Sequence, residues 1–381
     1  MQKITVGTNS FGYNQIRNFI NLPFQEFKVC KKVDLLKIPS HIYFQLKNQS
    51  HSFLANLYYD LGLNKVALYH FFNAVNVGNT PWITTFEHYL PRGAHRPGVF
   101  ANEQIYIGFV IKRLLHSSCK KLIAMSQFAY DAQLNYLNAY GSYADEIKQK
   151  MLILHPQQAK LIDSVAQKNT SPNFVTFTIT GADFFRKGGK EILKVFIRLF
   201  DQKQPVHLNI VSNLSFGDYA SKTTLEDQKW AFSIINKYPQ INHYNYLPNE
   251  EVLNLLRCSD IGLLPSYDET YGYSVLEAQA AGCPVITTNG AAFPEINNDD
   301  IGWLIKVPLV EDNRSIPRSK DAKMIFSKIV EDKLYEIVSE VINNRSLIRE
   351  KGTKSLVRIE QDHRPITRAN IIEGIYKSAL M

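Results

Sequence analysis

Between residues 173 and 307 short apolar runs alternate with amphipathic stretches of helical length, and this alternation restricts the fold more than any other feature of the chain. NFVTFTIT (173–180) alternates and is rich in β-branched and aromatic residues. After the turn GADFFRKGG comes EILKVFIRLF, with Ile192, Leu193, Val195, Phe196, Leu199 and Phe200 at helical spacing. The pattern repeats as VHLNIVS, a helix around EDQKWAFSIINKY, INHYNYL, a helix over NEEVLNLLRC, DIGLLPS, a helix through SVLEAQAA, then CPVITT and GWLIKV. Strands separated by such helices run parallel, and their near-continuous apolar character requires cover on both faces. Residues 171–360 are therefore expected to form a doubly wound α/β domain.

The first half shows a weaker form of the same order. ITVGT, KKVDLLKI, KVALYHF, TPWITTF, KLIAMS and KMLILH read as strands, with helical stretches around 14–22, 51–62, 100–118 and 127–138. Residues 155–172 lose periodicity, are polar and have Pro near both ends, which marks a linker. With 381 residues, 45% hydrophobic and 20% charged, the chain has the length for two domains and is too apolar for wholesale disorder. The expected division is 1–165 and 171–360, two Rossmann-like domains with a ligand cleft at the carboxyl ends of their strands.

Cys30, Cys119, Cys258 and Cys283 are too widely spaced for a metal-ligand or disulfide pattern, which implies a reducing, cytoplasmic setting. The opening MQKITVGTNSFG lacks the apolar core of a secretory leader, and no run of about 18 apolar residues could span a bilayer. Net charge is +8, and all of the excess lies in residues 1–170, with 18 Lys and Arg against 9 Asp and Glu. Arg92, His95, Arg96, Lys112, Arg113, Lys120 and Lys121, interleaved with Tyr89, Phe100, Tyr106 and Phe109, read equally as a solvated basic face or as a surface for an anionic leaflet. No nucleic-acid motif accompanies them.

The chemistry concentrates in 265–286, PSYDETYGYSVLEAQAAGCPVI. A strand end leads into a polar loop with Glu269 and Gly272, and a helix opens near Ser274. The N–H groups of Tyr273, Ser274 and Val275 at such a helix start attract an anion. Ser274 to Glu277 also reads as a capping box, in which Glu277 would serve only the helix. Upstream, GADFFRKGG places Arg186 and Lys187 at another strand-to-helix turn. Lys190 reads as an exposed turn lysine, and Asp299-Asp300 as a solvated loop pair rather than a metal site.

The segment resembles the donor signature of glycosyltransferase family 4, a Glu-x7-Glu pattern carried here by Pro265, Ser266, Glu269, Gly272, Glu277, Ala278, Ala280, Gly282, Pro284, Val285 and Ile286. GADFFRKGG is similar to that family's G-R-x-x-x-x-K-G: Lys187 matches its lysine, Ala182 replaces its arginine, and Arg186 is the candidate substitute. Asn289 to Ile296 resembles the family's small-residue loop ending in Pro-Glu. In the first half the likeness is weak: Gly12 stands in the loop after the first strand without a Gly-Gly pair. Glu87 matches the position of the family histidine, with His88 beside it; strand alternation would point one of the two to the cleft.

The resemblance implies α/β GT-B architecture, two Rossmann-like domains facing across a cleft, with 361–381 forming a helix that crosses back to the first domain. It implies a retaining hexosyltransferase that uses a nucleotide diphosphate sugar of UDP or GDP type and needs no metal. Glu269, Arg186, Lys187, Glu87 and His88 would serve catalysis. Glu277, Gly272, Tyr273, Ser274, Val275, Thr270, Tyr271, Tyr246 and Gly12 would bind donor. The acceptor would be a glycan or lipid-linked glycan of bacterial surface polysaccharide assembly, met in the cytoplasm or at the inner face of the membrane. The competing readings are a sugar epimerase or phosphorylase of the same architecture and a non-catalytic glycan- or nucleic-acid-binding module.

Overall fold

A computed structural model describes residues 2–47, 53–92, 103–139, 143–217, 219–310, 314–317 and 319–381. In chain order the strands are β1 Ile4–Thr8, β2 Phe27–Lys31, β3 Leu57–Tyr58, β4 Leu68–Phe72, β5 Val75–Asn76, β6 Trp82–Phe86, β7 Cys119–Ala124, β8 Met151–Ile153, β9 Val175–Thr180, β10 Val206–Val211, β11 Ile241–Tyr244, β12 Ile261–Leu264, β13 Val285–Thr288 and β14 Trp303–Ile305. The helices are α1 Tyr13–Asn18, α2 Lys37–Lys47, α3 Glu103–Leu115, α4 Gln127–Asn138, α5 Ala144–Lys148, α6 Gly189–Asp201, α7 Leu225–Lys237, α8 Asn249–Arg257, α9 Tyr273–Ala280, α10 Phe293–Ile296, α11 Lys320–Asn343, α12 Ser346–His363 and α13 Pro365–Leu380.

The chain divides into two compact units, residues 1–157 with 363–381, and residues 158–362. The segment 158–165, expected with the first domain, belongs to the second. Its backbone is held there: Leu161 N–H donates to Ala280 O at 2.8 Å, and Arg257 Nε donates to Leu161 O at 3.2 Å. Residues 361 and 362 likewise complete α12, and the helix that returns to the first unit is α13.

In the second unit all strands are parallel, in the order β11-β10-β9-β12-β13-β14. Strand order therefore reverses between β9 and β12, and the crevice at their carboxyl ends is where such sheets bind ligands. The two loops singled out in the sequence, 181–188 and 265–272, leave those two strands. The apolar stripe of α6 covers the sheet, with Phe196 packing edge-on against Phe177 of β9 at 5.2 Å. Phe184 and Phe185 are buried in the same core, so the basic turn that follows them is anchored from below.

The first unit has a parallel sheet in the order β2-β1-β4-β6-β7-β8, reversing between β1 and β4, with the short β3-β5 pair inserted. Two expectations fail here. KKVDLLKI is not a strand: β2 ends at Lys31 and α2 begins at Lys37. Of the described residues in 51–62, only Phe53–Asn56 form a short helix, followed by β3. Apolar runs too short to show a period cannot separate the two states.

Helix α13 is tied to this unit by a buried polar contact. The His70 ring of β4 stacks on Phe19 at 3.8 Å, with Nδ1 2.8 Å from Tyr376 Oη and Nε2 2.9 Å from Thr85 Oγ1. Burial pushes the imidazole down to about 3, so His70 is neutral in the fold. The unfolded chain takes up this proton below about pH 6.5 and the folded chain does not, so stability falls as pH drops through that range. Between pH 7 and pH 5, wild type should lose about 2 kcal/mol more than His70→Gln in denaturant unfolding; equal losses would show that His70 is not held neutral.

Candidate active site

The site forms where the loops after β9 and β12 are joined edge to edge. Tyr267 N–H donates to Arg186 O at 2.9 Å, and the Ser266 hydroxyl lies 3.1 Å from Arg186 O and 2.9 Å from Asp268 O. Across this seam one carboxylate oxygen meets two cations: Glu269 Oε2 is 3.3 Å from Arg186 Nη1 and 3.3 Å from Lys187 Nζ. The three side chains are only 11–17% exposed. Burial pushes the Glu269 carboxyl up, but Lys187 and Arg186 outweigh it and hold it below the ordinary range. Lys187 lies across the start of its own loop: a Cβ on Gly181, whose φ is +129°, would stand 2.4 Å from Lys187 Cε.

Ala182 is exposed, and Arg186, the candidate for the missing arginine, turns toward the neighbouring loop. Its Nε donates to Asp183 Oδ2 at 2.8 Å, and its Nη1 also donates to Asp268 O. Lys190 departs from expectation: it lies in the first turn of α6 and pairs with Asp227 Oδ1 at 2.5 Å. Asp299 and Asp300 are exposed, and Asp299 Oδ1 accepts Leu304 N–H at 2.9 Å.

The capping box does not form. Gly272, with φ +96°, is the N-cap of α9, and no side chain caps the helix. Ser274 is inside the first turn, and Glu277 lies a turn further on. Val275 N–H donates to Gly272 O at 2.9 Å, which removes it from the three N–H groups expected to meet an anion. Glu277 is buried, and Asn249 Nδ2 donates to its Oε1 at 3.3 Å. Thr270 is half-buried, and Tyr271 is buried 5.7 Å from the Tyr273 ring. Tyr246, beyond β11, is 78% exposed.

Sequence reasoning missed Asp268, Arg314 and Tyr219. Arg314 grips Asp268 with both ends of its fork, Nε to Oδ1 at 3.0 Å and Nη2 to Oδ2 at 2.5 Å. Tyr219 Oη donates to Oδ2 at 2.5 Å, and Arg314 Nη2 also donates to Tyr219 Oη at 2.9 Å. This clamp fixes the residue before Glu269. Asp268 was visible as a variable position inside the motif, but Arg314 lies in an aperiodic stretch and gives no signal. Tyr267, also inside the motif, is a core anchor: it stacks on Phe326 at 4.1 Å and donates to Glu191 Oε1 at 2.6 Å.

In the first unit Glu87 is buried, pairs with Arg92 Nη2 at 2.7 Å and accepts from Asn73 Nδ2 at 3.2 Å. His88 is half-buried, stacked on Phe128 at 5.3 Å and beside Tyr89 at 4.2 Å. Gly12 is the N-cap of α1, and its N–H donates to Ser10 Oγ at 3.1 Å.

The basic and aromatic cluster does not form one surface. Tyr89 and Tyr106 are buried, and Arg113 donates to the carbonyls of Asn76 and Gly78. His95, Arg96 and Phe100 lie outside the described residues. Among the described residues no helix is long and apolar enough to cross a membrane, and no group of three or more His, Cys, Asp or Glu could hold a metal ion.

Two Rossmann-like units with parallel sheets define the GT-B fold of glycosyltransferases. WaaG, a glycosyltransferase involved in lipopolysaccharide biosynthesis, superposes with a TM-score of 0.59 at 15% identity, over 98% of this chain and 92% of its own. Anabaena Alr3699/HepE in complex with UDP gives 0.58 at 13% identity, over 99% and 100%. Residues 162–314 match the family model of glycosyl transferases group 1, which takes in both loops and Arg314. D-inositol 3-phosphate glycosyltransferase of Corynebacterium glutamicum (strain R) is 26% identical over 108 residues, 28% of this chain and 25% of its own. A 41.2 kDa protein of the cps region of Klebsiella pneumoniae is 26% identical over 113 residues, 29% and 31%. The chain thus spans less than a third of the length of these curated relatives.

Arg314→Ala would leave the Asp268 carboxylate buried without its guanidinium, which costs about 3 kcal/mol. Urea unfolding checks it, and a loss below about 1 kcal/mol would show that the clamp is not a structural support.

Proposed function

We propose that the protein is a retaining glycosyltransferase of family 4 type, moving a hexose from a nucleotide diphosphate sugar to a glycan or lipid-linked acceptor in bacterial surface polysaccharide assembly. The convergence of Arg186 and Lys187 on Glu269, at the ends of the two strands where sheet order reverses, carries this reading. WaaG supports it as a neighbour of the same fold named for lipopolysaccharide biosynthesis, and the structures of HepE hold UDP, UDP with glucose, or UDP-glucose.

Cleavage of the anomeric C–O bond leaves negative charge on the departing diphosphate and positive charge on the sugar. Lys187 and Arg186, with the N–H groups at the start of α9, stabilise the diphosphate. Here the cations already face one carboxylate, and the arriving diphosphate shares them rather than displacing Glu269. Glu269 then lies beside the sugar, accepts from its hydroxyls and favours the oxocarbenium-like state. Glu277 accepts from the ribose hydroxyls, held at the right angle by Asn249. Two cations do the work of charge neutralisation, so the reaction proceeds without metal. The acceptor hydroxyl attacks from the face the diphosphate leaves, and the leaving oxygen takes its proton; the α configuration is kept. The first unit takes the acceptor, and Glu87 and His88 are its candidates for contact with the sugar. The protein works in the cytoplasm, with the basic first unit meeting an anionic membrane surface.

Thermal-shift titration with UDP- and GDP-sugars identifies the donor, and no shift with any of them would remove the enzyme reading. Glu269→Gln should lower transfer at least about 100-fold, since it removes the charge facing the developing cation. Transfer unchanged in that variant, or abolished in wild type by a chelator, would overturn the site or its metal independence respectively.

A further inference from the structure

A cavity of about 690 Å³ opens at the opposite edge of the second sheet, where Val175 starts β9 and Asp260 precedes β12. β9 has six residues, so this edge lies about 20 Å from the loops that carry Arg186 and Glu269. The volume falls within the range of small-molecule sites.

Its walls are unequal in charge. Lys168, Arg345 and Arg349 line it, against one carboxylate, Asp260. Asp260 Oδ2 is occupied by Thr176 N–H at 2.8 Å. The Lys168 ammonium is 2.9 Å from Ala281 O and 3.1 Å from Cys283 Sγ, fixed in place by uncharged groups. Arg345 gives Nη1 to Pro172 O, which leaves the rest of its fork for a ligand, and Arg349 is exposed at the rim. The Ser171 hydroxyl adds a neutral donor, since its oxygen accepts Asn173 N–H at 3.2 Å, whereas Ser346 spends its hydrogen on Asn344 Oδ1 at 2.6 Å; Phe174 with Ile348 supplies an apolar floor.

We propose that this cavity binds a phosphate-bearing small molecule, distinct from the donor at the opposite edge. A single carboxylate ligand would leave the excess of cations uncompensated, whereas a phosphate dianion balances it and fits the forked donors of two arginines. The apolar floor suits the body of a phosphate ester. The proposal stands whether or not the protein transfers sugar.

The donor loops also hold cations, so the test is made in Lys187→Ala. Isothermal titration of that variant with inorganic phosphate and, separately, with a hexose 6-phosphate should show binding at one site. Adding Arg345→Ala and Arg349→Ala should weaken it about tenfold or more, since each removes charge-assisted hydrogen bonds. Arg349→Glu alone, at an exposed position, should weaken it without touching the core, and thermal unfolding checks that both variants are folded. Tighter binding of the hexose phosphate assigns the floor a role; equal binding assigns free phosphate as the ligand. No binding of either probe, or binding unchanged by the arginine variants, overturns the proposal.

Discussion

The shared oxygen of Glu269 is the contact on which the second unit's upper surface depends. Two loops leave adjacent strands, and neither has regular structure of its own. They are aligned because one carboxylate oxygen satisfies cations from the other loop, while Arg186 also bonds the backbone of Asp268. Taking three charged groups this far out of water costs more than a single pair would return, so the geometry needs support around it. Support comes from below through Phe184, Phe185 and Tyr267 in the core, and from the side through the Asp268, Arg314 and Tyr219 clamp. Under the proposed function, cations already positioned are an advantage, because reorganisation is then not charged to the reaction.

The first unit is organised around a different kind of constraint. Helix α13 arrives from the far end of the chain to pack against β4 and β7, and the contact that receives it is a neutral, buried imidazole. His70 bridges Thr85 within the sheet and Tyr376 on the helix, and a buried polar pair of this kind specifies one position for the helix where apolar contact alone would tolerate several. Glu26 and Lys377 add an exposed pair at 2.5 Å, which contributes little by itself.

How much of this was legible follows from the range of each signal. The alternation over 173–307 yielded every strand of the second sheet because buried parallel strands are apolar throughout and their helices carry a stripe. The loops after β9 and β12 were legible because Glu269, Gly272 and Lys187 sit in short patterns whose spacing is fixed by local geometry. Arg314 was not, since its partner Asp268 is 46 residues away and nothing periodic links them. The capping box at Ser274 failed for a local reason: Gly272 can adopt positive φ, so the helix starts two residues earlier than the hydroxyl suggests. In the first half KKVDLLKI reads as a strand although it spans mainly the loop between β2 and α2, because its apolar run is too brief to show a period.

Part of the basic excess of residues 1–170 is taken up inside the fold. Lys150 donates to the carbonyls of Leu114 and Leu115 at the end of α3 and to that of His116 just beyond it. Arg113 bonds two further carbonyls, and Lys3 donates to Phe24 O. These three cations neutralise partial charge at a helix end and in turns, so any surface the unit presents to an anion is made by the others. Net charge counts formal charges and omits backbone dipoles, so it overstates how much positive field a unit presents to its surroundings. In the second unit, near-neutral as a whole, Arg186 and Lys187 are matched by Asp183 and Glu269 at one end of the sheet, while Lys168, Arg345 and Arg349 face only Asp260 at the other, a local imbalance that the total charge does not reveal.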